Sequence, residues 1–453
     1  MRLLYSRIYR ALPRFYSMPS TSTVKGLARK EEEGQVHLQG WVKRMERRGE
    51  FTFARVSDGL SNDEVQLVIP KDVCETVRKG DAIRASGSWK RSKGHMQTME
   101  LYAEKCKIHA KDEDASYKNW NTDKLREHVH LRVRSESFAA LLRLRSRLFL
   151  ETHKFFSGLD YIHIDTPSLT QNDCEGAGEL FIVQDAKSKD KDEFFGKPVF
   201  LTISSQLHLE AMTSGIPKVY TVNKAYRADV QVSSSHLSEF RMLEVETGFC
   251  ENIDETCDLV ESYVLHCTRL LLEDKTMQQD FALLGIFSTK DHLEIVRKIA
   301  ESEKFPRVPY SEAVQILKTD KKWEHSRQTM NKKNELYLAK KFGGPVFVTH
   351  YPSNQKPFYV MRDPSDSSLT LSFDLLAPIV GELAGGTVRE QSIEEITKRG
   401  GGDIDWYLEI RHRGKPVSSG FGVGFERLLQ VLLGTKNIKD TLPFPRHYGH
   451  IQC

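Results

Sequence analysis

Between residues 35 and 110 the chain is a series of short alternating segments, and this pattern restricts the fold more than any other feature. Apolar side chains alternate with polar ones along each segment, and turns such as Asp58-Gly59 and Gly80-Asp81 separate them. A period of two predicts strands with one buried face. The predicted strands lie near residues 36–42, 51–56, 65–69, 82–89 and 99–108. Five short strands with glycine-centred turns predict a five-stranded OB-like β-barrel.

Basic residues cluster between the strands of this predicted barrel. The clusters are Lys43, Arg44, Arg47 and Arg48, followed by Lys90, Arg91 and Lys93. Basic residues interleaved with aromatic ones indicate binding of single-stranded nucleic acid, because bases stack on rings while phosphates meet cations. An alternating phenylalanine such as Phe53 is more often a core residue of a barrel than a stacking platform. The pattern alone leaves both interpretations open.

The 453 residues are too many for one compact core, and a second domain follows the barrel. After a polar, charged connector, the segment 138–156 has helical periodicity and stops at Gly158. No P-loop and no GxGxxG motif follows a strand, which argues against the common nucleotide-binding folds. The predicted organisation is a leader, a barrel, a linker and a larger domain, at residues 1–30, 31–112, 113–135 and 136–453.

The first thirty residues contain seven basic residues and no acidic one. Leu3, Leu4, Ile8, Leu12 and Phe15 fall on one side of a predicted helix, with arginines on the other. An amphipathic, arginine-rich leader without acidic residues is typical of an organelle transit peptide, and it predicts the mitochondrial matrix as the location. The alternative is a basic tail that touches RNA directly.

The composition limits the choice of partners. The formal net charge is +4, so the chain without its leader carries −3, and any contact with RNA must come from local basic patches. No run of eighteen or more apolar residues occurs, which argues against a membrane-spanning helix. The seven cysteines are scattered without a CxxC pair, which argues against a structural zinc site and a disulfide framework.

Three separated segments carry the residues with the clearest chemical roles. The first is the helix that ends at Gly158, followed by residues 161–167, which close with a proline. The second is a predicted strand–loop–strand hairpin over residues 226–246, and the third is the glycine-rich segment 420–427, which ends in Glu-Arg. Together they resemble motifs 1, 2 and 3 of the class II aminoacyl-tRNA synthetases, and the resemblance extends from about Gln35 to the C-terminus. It implies an α+β fold in which the barrel, an OB-fold, precedes an antiparallel sheet flanked by helices.

The resemblance implies an ATP site. Arg227 would clamp the α-phosphate, Phe240 would stack on adenine, and His236 would reach the outer phosphates. The remaining implied ATP contacts are Asp229, Glu382, Gly422, Gly424 and Arg427, with Arg427 on the γ-phosphate. Arg227, Arg427 and Glu382 would be the catalytic residues, and Asp374 and Glu382 would hold Mg²⁺ on the phosphates. The chain departs from the family at Asp229, where glutamate is usual, and at Ser235, where arginine is usual.

The segments around the implied amino-acid site resemble asparagine enzymes. Residues 175–181 read EGAGELF, whereas aspartate enzymes have EGARDF. Aspartate enzymes also carry a lysine where this chain has Leu209, followed by Glu210. By this resemblance Glu175 holds the α-ammonium group, Gln206 lies in the same site, Glu210 accepts from the carboxamide NH₂, and Arg389 donates to its oxygen. A carboxylate at that place would repel aspartate.

The implied activity is ATP-dependent ligation of asparagine to tRNA(Asn). Aligning the barrel with the family places Phe53 under a stacked anticodon base and Gln66 beside the middle uridine. Motif 1 forms the dimer interface in this family, so a homodimer is expected. Two alternatives remain: an enzyme that charges aspartate or both amino acids, and an RNA-binding protein that kept the fold but lost ligation.

The leader generates the first prediction. A reporter fused to residues 1–30 should enter mitochondria and lose about the first twenty residues there, because the segment is basic, amphipathic and free of acidic residues. Imaging and mass spectrometry of the imported reporter measure both effects. The matched control replaces Arg2, Arg7, Arg10 and Arg14 with glutamine and should stay in the cytosol. Cytosolic retention of the unmodified fusion would contradict the prediction.

Overall fold

The structure is a computed structural model, and it is described for most of the chain. The described residues are 22–74, 76–94, 97–114, 117, 119–172, 179–185, 194–231, 233–289, 292–323 and 329–453. They fall into two compact units. The first contains the described residues up to Trp120 together with Arg134–Arg143, and the second contains Asn121–Val133 and Leu144–Cys453.

The first unit is a closed five-stranded barrel, which confirms the predicted OB-fold. Its elements are helix α1 (Val24–Ala28) and strands β1 (Gly34–Arg48), β2 (Phe51–Ser57), β3 (Val65–Pro70), β4 (Ala82–Arg91) and β5 (Met99–Ala110). The strand order is β1-β2-β3-β5-β4, and only the β3/β5 pair is parallel among these neighbours. The strands are longer than the sequence pattern predicts, because β1 continues to Arg48 through a bulge after Val42.

The alternation along β2 sorts its side chains between two faces. Thr52, Ala54 and Val56 are buried inside the barrel, whereas Phe53 and Arg55 lie on the outer face and are half-buried. The core interpretation of Phe53 is therefore wrong. The barrel also needs a residue without a side chain at Gly87, where β4 bulges against β5 and a Cβ atom would overlap the carbonyl oxygen of Tyr102.

The second unit is built on one large sheet with helices around it. Its helices are α2 (Thr122–Glu127), α3 (Glu136–Gly158, of which the part from Leu144 belongs to this unit), α4 (Gln206–Met212), α5 (Ile253–Glu273), α6 (Lys275–Ala282), α7 (His292–Glu301), α8 (Tyr310–Thr319), α9 (Lys332–Lys341), α10 (Ile393–Ile396), α11 (Asp405–His412) and α12 (Phe425–Leu433). Its strands are β6 (Ile162–His163), β7 (Leu169–Thr170), β8 (Phe200–Leu201), β9 (Lys218–Tyr226), β10 (Glu239–Gly248), β11 (Arg307–Pro309), β12 (Val346–Thr349), β13 (Ser372–Ala377), β14 (Gly381–Val388) and β15 (Ser418–Gly424).

Eight of these strands form the sheet in the order β11-β12-β13-β14-β15-β10-β9-β6. The six central strands pair antiparallel, as expected, but each edge strand joins its neighbour in parallel, so the sheet is mixed. The predicted α+β class is confirmed. Strands β14, β15 and β10 lie side by side at the centre, and α12 begins directly after β15, so distant parts of the sequence meet there.

The segment 121–133 is packed against the C-terminal residues of the second unit. Arg126 of α2 binds both carboxylate oxygens of Asp440, at 2.9 and 2.6 Å. Arg132 is fully buried and donates to the carbonyl oxygens of Lys439, Leu442 and Pro443. Burial lowers the pKa of Arg132 to about 10. Part of the predicted linker thus belongs to the second unit. Across the described part of the chain, no helix has the length and apolar character needed to cross a membrane.

Candidate active site

Two adjoining cavities lie over the central strands of the sheet. The first, here called the cationic cavity, has a volume of about 170 Å³ and contains Arg227, His236 and Arg427 in its lining. All eight residues predicted to bind ATP line it: Arg227, Asp229, His236, Phe240, Glu382, Gly422, Gly424 and Arg427. The second, here called the inner cavity, has a volume of about 180 Å³, and Gln206 and Arg389 line it. Arg227 and Glu382 line both cavities.

Arg227 is placed by the hairpin of β9 and β10. It follows the last residue of β9, and its backbone N–H donates to the carbonyl oxygen of Ser238 at 3.0 Å, which closes the hairpin. Its guanidinium carbon lies 5.7 Å from the centre of the Phe240 ring. A guanidinium between two cavities can bind an oxyanion shared by two ligands.

Arg427 lies in the first turn of α12 and faces Glu382 on β14. Its Nη1 donates to the carbonyl oxygen of Glu382 at 2.9 Å and lies 3.5 Å from a carboxylate oxygen of the same residue. Gly424 is the last residue of β15 and the N-cap of α12, so the turn from strand to helix delivers the arginine to the cavity.

The hairpin loop contributes Asp229 and His236. Asp229 accepts from the backbone N–H of Gln231 at 2.7 Å and lies 3.8 Å from Nε2 of His236. Burial lowers the pKa of His236, as do the nearby charges of Arg427 and Arg227, while Asp229 opposes the shift. The surroundings of His236 therefore favour its neutral imidazole over the protonated form while no anion is bound nearby.

Asp374 and Glu382 form a pair of carboxylates beside the cavities. A Cβ atom at Gly385 would lie 3.4 Å from an oxygen of each, so the two acids flank the same glycine. Desolvation raises the pKa of Asp374 despite its contact with Lys356 at 2.9 Å. Desolvation acts on Glu382 in the same direction, but the charges of Arg427, Lys356 and Arg227 hold its pKa below the usual value. Two carboxylates open to a phosphate suit Mg²⁺, which takes one or two protein carboxylates and completes its shell with phosphate and water.

The inner cavity is organised by a buried ion pair that the sequence analysis missed. Arg389 Nη2 lies 2.8 Å from Glu246 Oε2, and its Nε donates to both oxygens of the same carboxylate. Arg389 also donates to Oγ1 of Thr387 at 2.6 Å, and Glu246 accepts from Ser418 at 2.6 Å. The signal was present in the sequence, because Glu244 and Glu246 alternate with the apolar residues Leu243 and Val245 in the same predicted strand.

Glu244 is the second acidic residue of β10 at this cavity. Its side chain is buried, and it accepts hydrogen bonds from the hydroxyl of Ser204 and the backbone N–H of Ser205. A carboxylate in this position can accept from an amide group in the cavity, as was expected of Glu210.

The structure does not place Glu210 in the lining of the inner cavity. Its side chain is fully buried behind it and accepts from Tyr407 at 2.8 Å and from Arg411 at 2.8 Å. Lys415 and Arg389 lie 3.8 and 3.9 Å away. Burial raises the pKa of Glu210, but Arg411, Lys415 and Arg389 outweigh this and lower it overall. The predicted direct contact with a carboxamide is corrected accordingly: Glu210 is a buried counter-ion that holds cations, because tertiary packing covers it with α11.

The remaining predicted contacts are Glu175 and two residues of the barrel. Glu175 falls outside the described residues. In the barrel, Phe53 lies on the outer face of β2, and Gln66 on the neighbouring strand donates to Glu100 at 3.1 Å. Arg55 is the register partner of Gln66, so the two predicted RNA contacts share their face with a cation. Lys90 lies 3.9 Å from the centre of the Tyr102 ring in the same unit.

Comparisons with known proteins agree with this architecture. A family model described as class II tRNA synthetases (D, K and N) matches residues 121–448, and an OB-fold nucleic acid binding domain matches residues 36–108. The asparaginyl-tRNA synthetase of Mus musculus is 37% identical over 438 residues, or 91% of this chain and 90% of that protein. The mitochondrial asparagine–tRNA ligase of Schizosaccharomyces pombe is 34% identical over 95% and 98% of the two chains.

The same relationship holds between structures. The crystal structure of asparaginyl-tRNA synthetase from Pyrococcus horikoshii complexed with asparaginyl-adenylate matches with a TM-score of 0.84 and 25% identity. The match covers 96% of this chain and all of that one. The chain therefore belongs to the class II tRNA synthetases, and within them to the asparagine–tRNA ligase family.

Proposed function

We propose that this protein activates asparagine with ATP and transfers it to tRNA(Asn) in the mitochondrial matrix. The observation that carries the proposal is the pair of adjoining cavities with Arg227 at both. The cationic cavity is lined by basic side chains that can bind a triphosphate. The inner cavity is lined by an arginine and by carboxylates, which can bind a small zwitterion with a polar side chain. The relative from Pyrococcus horikoshii was solved with an adenylate of the same amino acid.

The first chemical step joins the contents of the two cavities. An oxygen of the asparagine carboxylate attacks the α-phosphorus of ATP, a new O–P bond forms, and the bond to the β-phosphate oxygen breaks. The electron pair leaves on pyrophosphate. The nucleophile is already ionised, so no protein base is required. Arg227 neutralises charge at the α-phosphate, and Arg427 does so on the departing phosphates, which is catalysis by position and charge.

Asp374 and Glu382 are the residues that would hold Mg²⁺ on the phosphates, because each offers a carboxylate beside Gly385. When bound, the ion would offset the negative charge of the triphosphate. In the second step the 3′-hydroxyl of the terminal tRNA ribose attacks the acyl carbon, AMP leaves with the electron pair of the acyl–oxygen bond, and the hydroxyl proton is released to water.

Selectivity for asparagine is proposed to come from Arg389 and Glu244. Arg389 donates to the carboxamide oxygen, and Glu246 fixes the direction of its guanidinium. Glu244 accepts from the carboxamide NH₂. Shape cannot separate asparagine from aspartate, so charge must. At about 4 Å and an effective dielectric of about 20, a second carboxylate would be repelled by about 4 kcal/mol, about three powers of ten in preference.

Other parts of the chain support the remaining features of the proposal. The outer face of the barrel (residues 31–112) would read the anticodon, with Phe53 under a base and Gln66 beside the middle uridine. Leu150, Leu159 and Ile162 expose about half of their surface along the motif 1 elements, which favours a homodimer through that region. The basic leader and the mitochondrial relative support the location.

The first test is pyrophosphate exchange with each of the twenty amino acids. Exchange with asparagine should exceed exchange with aspartate by at least about a hundredfold, because Glu244 repels a carboxylate. Glu244→Gln should narrow the gap, since the repulsion of aspartate is lost and the carboxamide NH₂ of asparagine keeps only a neutral acceptor. Comparable exchange with both amino acids in the unmutated protein would instead indicate a non-discriminating enzyme, and absence of exchange would indicate a protein without ligase activity.

Glu210 is expected to stabilise the second unit and to hold Arg389 in position. Glu210→Gln leaves Arg411 and Lys415 without their buried counter-ion and should destabilise the second unit by about 3–5 kcal/mol. Thermal unfolding measures this effect, and the KM for asparagine should rise with little change in the KM for ATP. The control is Glu409→Gln, which breaks an exposed ion pair with Arg413 and should cost less than about 1 kcal/mol. Equal stability of the two variants would contradict the counter-ion role.

Phe53→Ala tests the barrel. Stacking contributes about 1–3 kcal/mol per base, so tRNA charging should weaken by about tenfold or more while pyrophosphate exchange stays intact. Phe53→Tyr keeps the ring and should retain charging. A parallel loss of exchange and charging in Phe53→Ala would point to a structural role, and unchanged charging would remove Phe53 from the tRNA contact.

A further inference from the structure

A lysine from a distant part of the sequence reaches the loop of the motif 2 hairpin. Ser235, which lines the cationic cavity, stands where the resemblance leads one to expect an arginine. Its hydroxyl oxygen accepts a hydrogen bond from Nζ of Lys332 at 2.5 Å. Lys332 is the first residue of α9, ninety-seven positions further along the chain. Lys332, which lies outside the motif, thus places a cation beside position 235, where the family usually has an arginine.

The charge of Lys332 acts on the other cations of the cavity. Burial lowers the pKa of Lys332, and the charge of Arg427 lowers it further. Lys332 in turn contributes to the lowered pKa of His236, together with Arg427 and Arg227. An anion bound beside these cationic groups would offset their mutual repulsion, and an anion with several charges would offset it most.

Helix α9 holds Lys332 in a fixed position beside this site. Asn331 and Asn334 form a capping box at its start, and Asn334 also donates to the carbonyl oxygen of Lys322 at 2.8 Å. One turn into the helix, Glu335 accepts from the backbone N–H of Glu382 at 3.0 Å. This contact requires Gly381, since a Cβ atom there would overlap the Glu335 carboxylate. The helix is therefore anchored directly to the strand that carries a cavity residue.

We propose that Lys332 binds the β- and γ-phosphates of ATP and the pyrophosphate that leaves, in place of the motif 2 arginine. The inference rests on the proposed ligase function and extends it to a residue outside the three motifs. Ser235 holds the ammonium group at the cavity, and a phosphate oxygen takes its place as the acceptor or shares the remaining N–H donors. The segment that contains α9 thus acquires a role in nucleotide binding.

The kinetic test compares three variants in pyrophosphate exchange. Lys332→Met should raise the KM for ATP and for pyrophosphate by about tenfold, because a hydrogen bond to a charged group is lost. The KM for asparagine should change less than twofold, and Lys332→Arg should restore most of the loss. Lys333→Met is the matched control, because Lys333 is exposed on the same turn, and it should behave as the unmutated protein. An unchanged KM for ATP in Lys332→Met, or an equal rise in Lys333→Met, would overturn the inference.

A second pair of variants asks whether the two positions are interchangeable. Ser235→Arg combined with Lys332→Met returns the cation to the hairpin and should recover the KM for ATP. Ser235→Arg alone places two cations together and should not improve ATP binding. Failure of the double variant to recover, with normal thermal unfolding, would mean that Lys332 holds the loop rather than the phosphates.

Labelling of the unmutated protein removes any dependence on folded variants. Amine-reactive labelling followed by mass spectrometry should show that ATP with Mg²⁺ protects Lys332, that AMP does not, and that Lys333 is protected by neither. Absence of protection by ATP would overturn the inference. This readout needs no amino acid, so it fails separately from the proposed function, which fails when asparagine supports no exchange.

Discussion

The ion pair of Arg389 and Glu246 is the interaction on which the site depends. It joins the residue that follows β14 to β10 by crossing the strand between them, β15. The crossing is possible because residue 420 is a glycine: a Cβ atom there would overlap the Glu246 carboxylate and lie 2.7 Å from Nη2 of Arg389. One glycine of motif 3 thus serves the amino-acid site as well as the strand that leads to Arg427.

The two buried charges need hydrogen-bond or ion-pair partners around them, because taking two charges out of water costs several kcal/mol per ion. Ser418 and Thr387 bind the two partners, and Glu210 lies 3.9 Å from Nε of Arg389. Opposite charges therefore alternate from Glu246 through Arg389 and Glu210 to Arg411. The arrangement fixes the guanidinium before any substrate arrives, so little conformational freedom is lost on binding.

How far the sequence predicted this site depended on how local each signal was. Seven of the eight ATP residues line one cavity as a group because motifs 2 and 3 carry their own strand–loop and strand–helix geometry, and Glu382 joins them from β14. Glu210 was misjudged because its neighbours in sequence do not reveal that α11 covers it with Tyr407 and Arg411. Lys332 was not found for a related reason, since only the fold brings α9 to the hairpin loop.

The barrel followed from the alternation of its strands, yet the pattern could not choose its inner face. A period of two places Phe53 and Ala54 on opposite sides of β2, but which side faces inward depends on closure of all five strands. Ala54 and Val56 pack in the core, so the outer face keeps Phe53, Arg55 and Gln66.

The aromatic and basic side chains on the outer face of the barrel bear on how the protein would bind RNA. Residues 21–453 carry no net charge, because the four arginines of the first twenty residues account for the whole formal charge of +4, so bulk attraction of this part to a polyanion is weak. The barrel contains a local pairing of a ring with a cation at Tyr102, where the ammonium of Lys90 lies 3.9 Å from the ring centre. Short-range contacts of this kind discriminate among RNAs by where unpaired bases are presented, because stacking requires bases that have left the helix. An RNA-binding protein without net charge would therefore gain selectivity for a loop over a duplex at the expense of overall attraction.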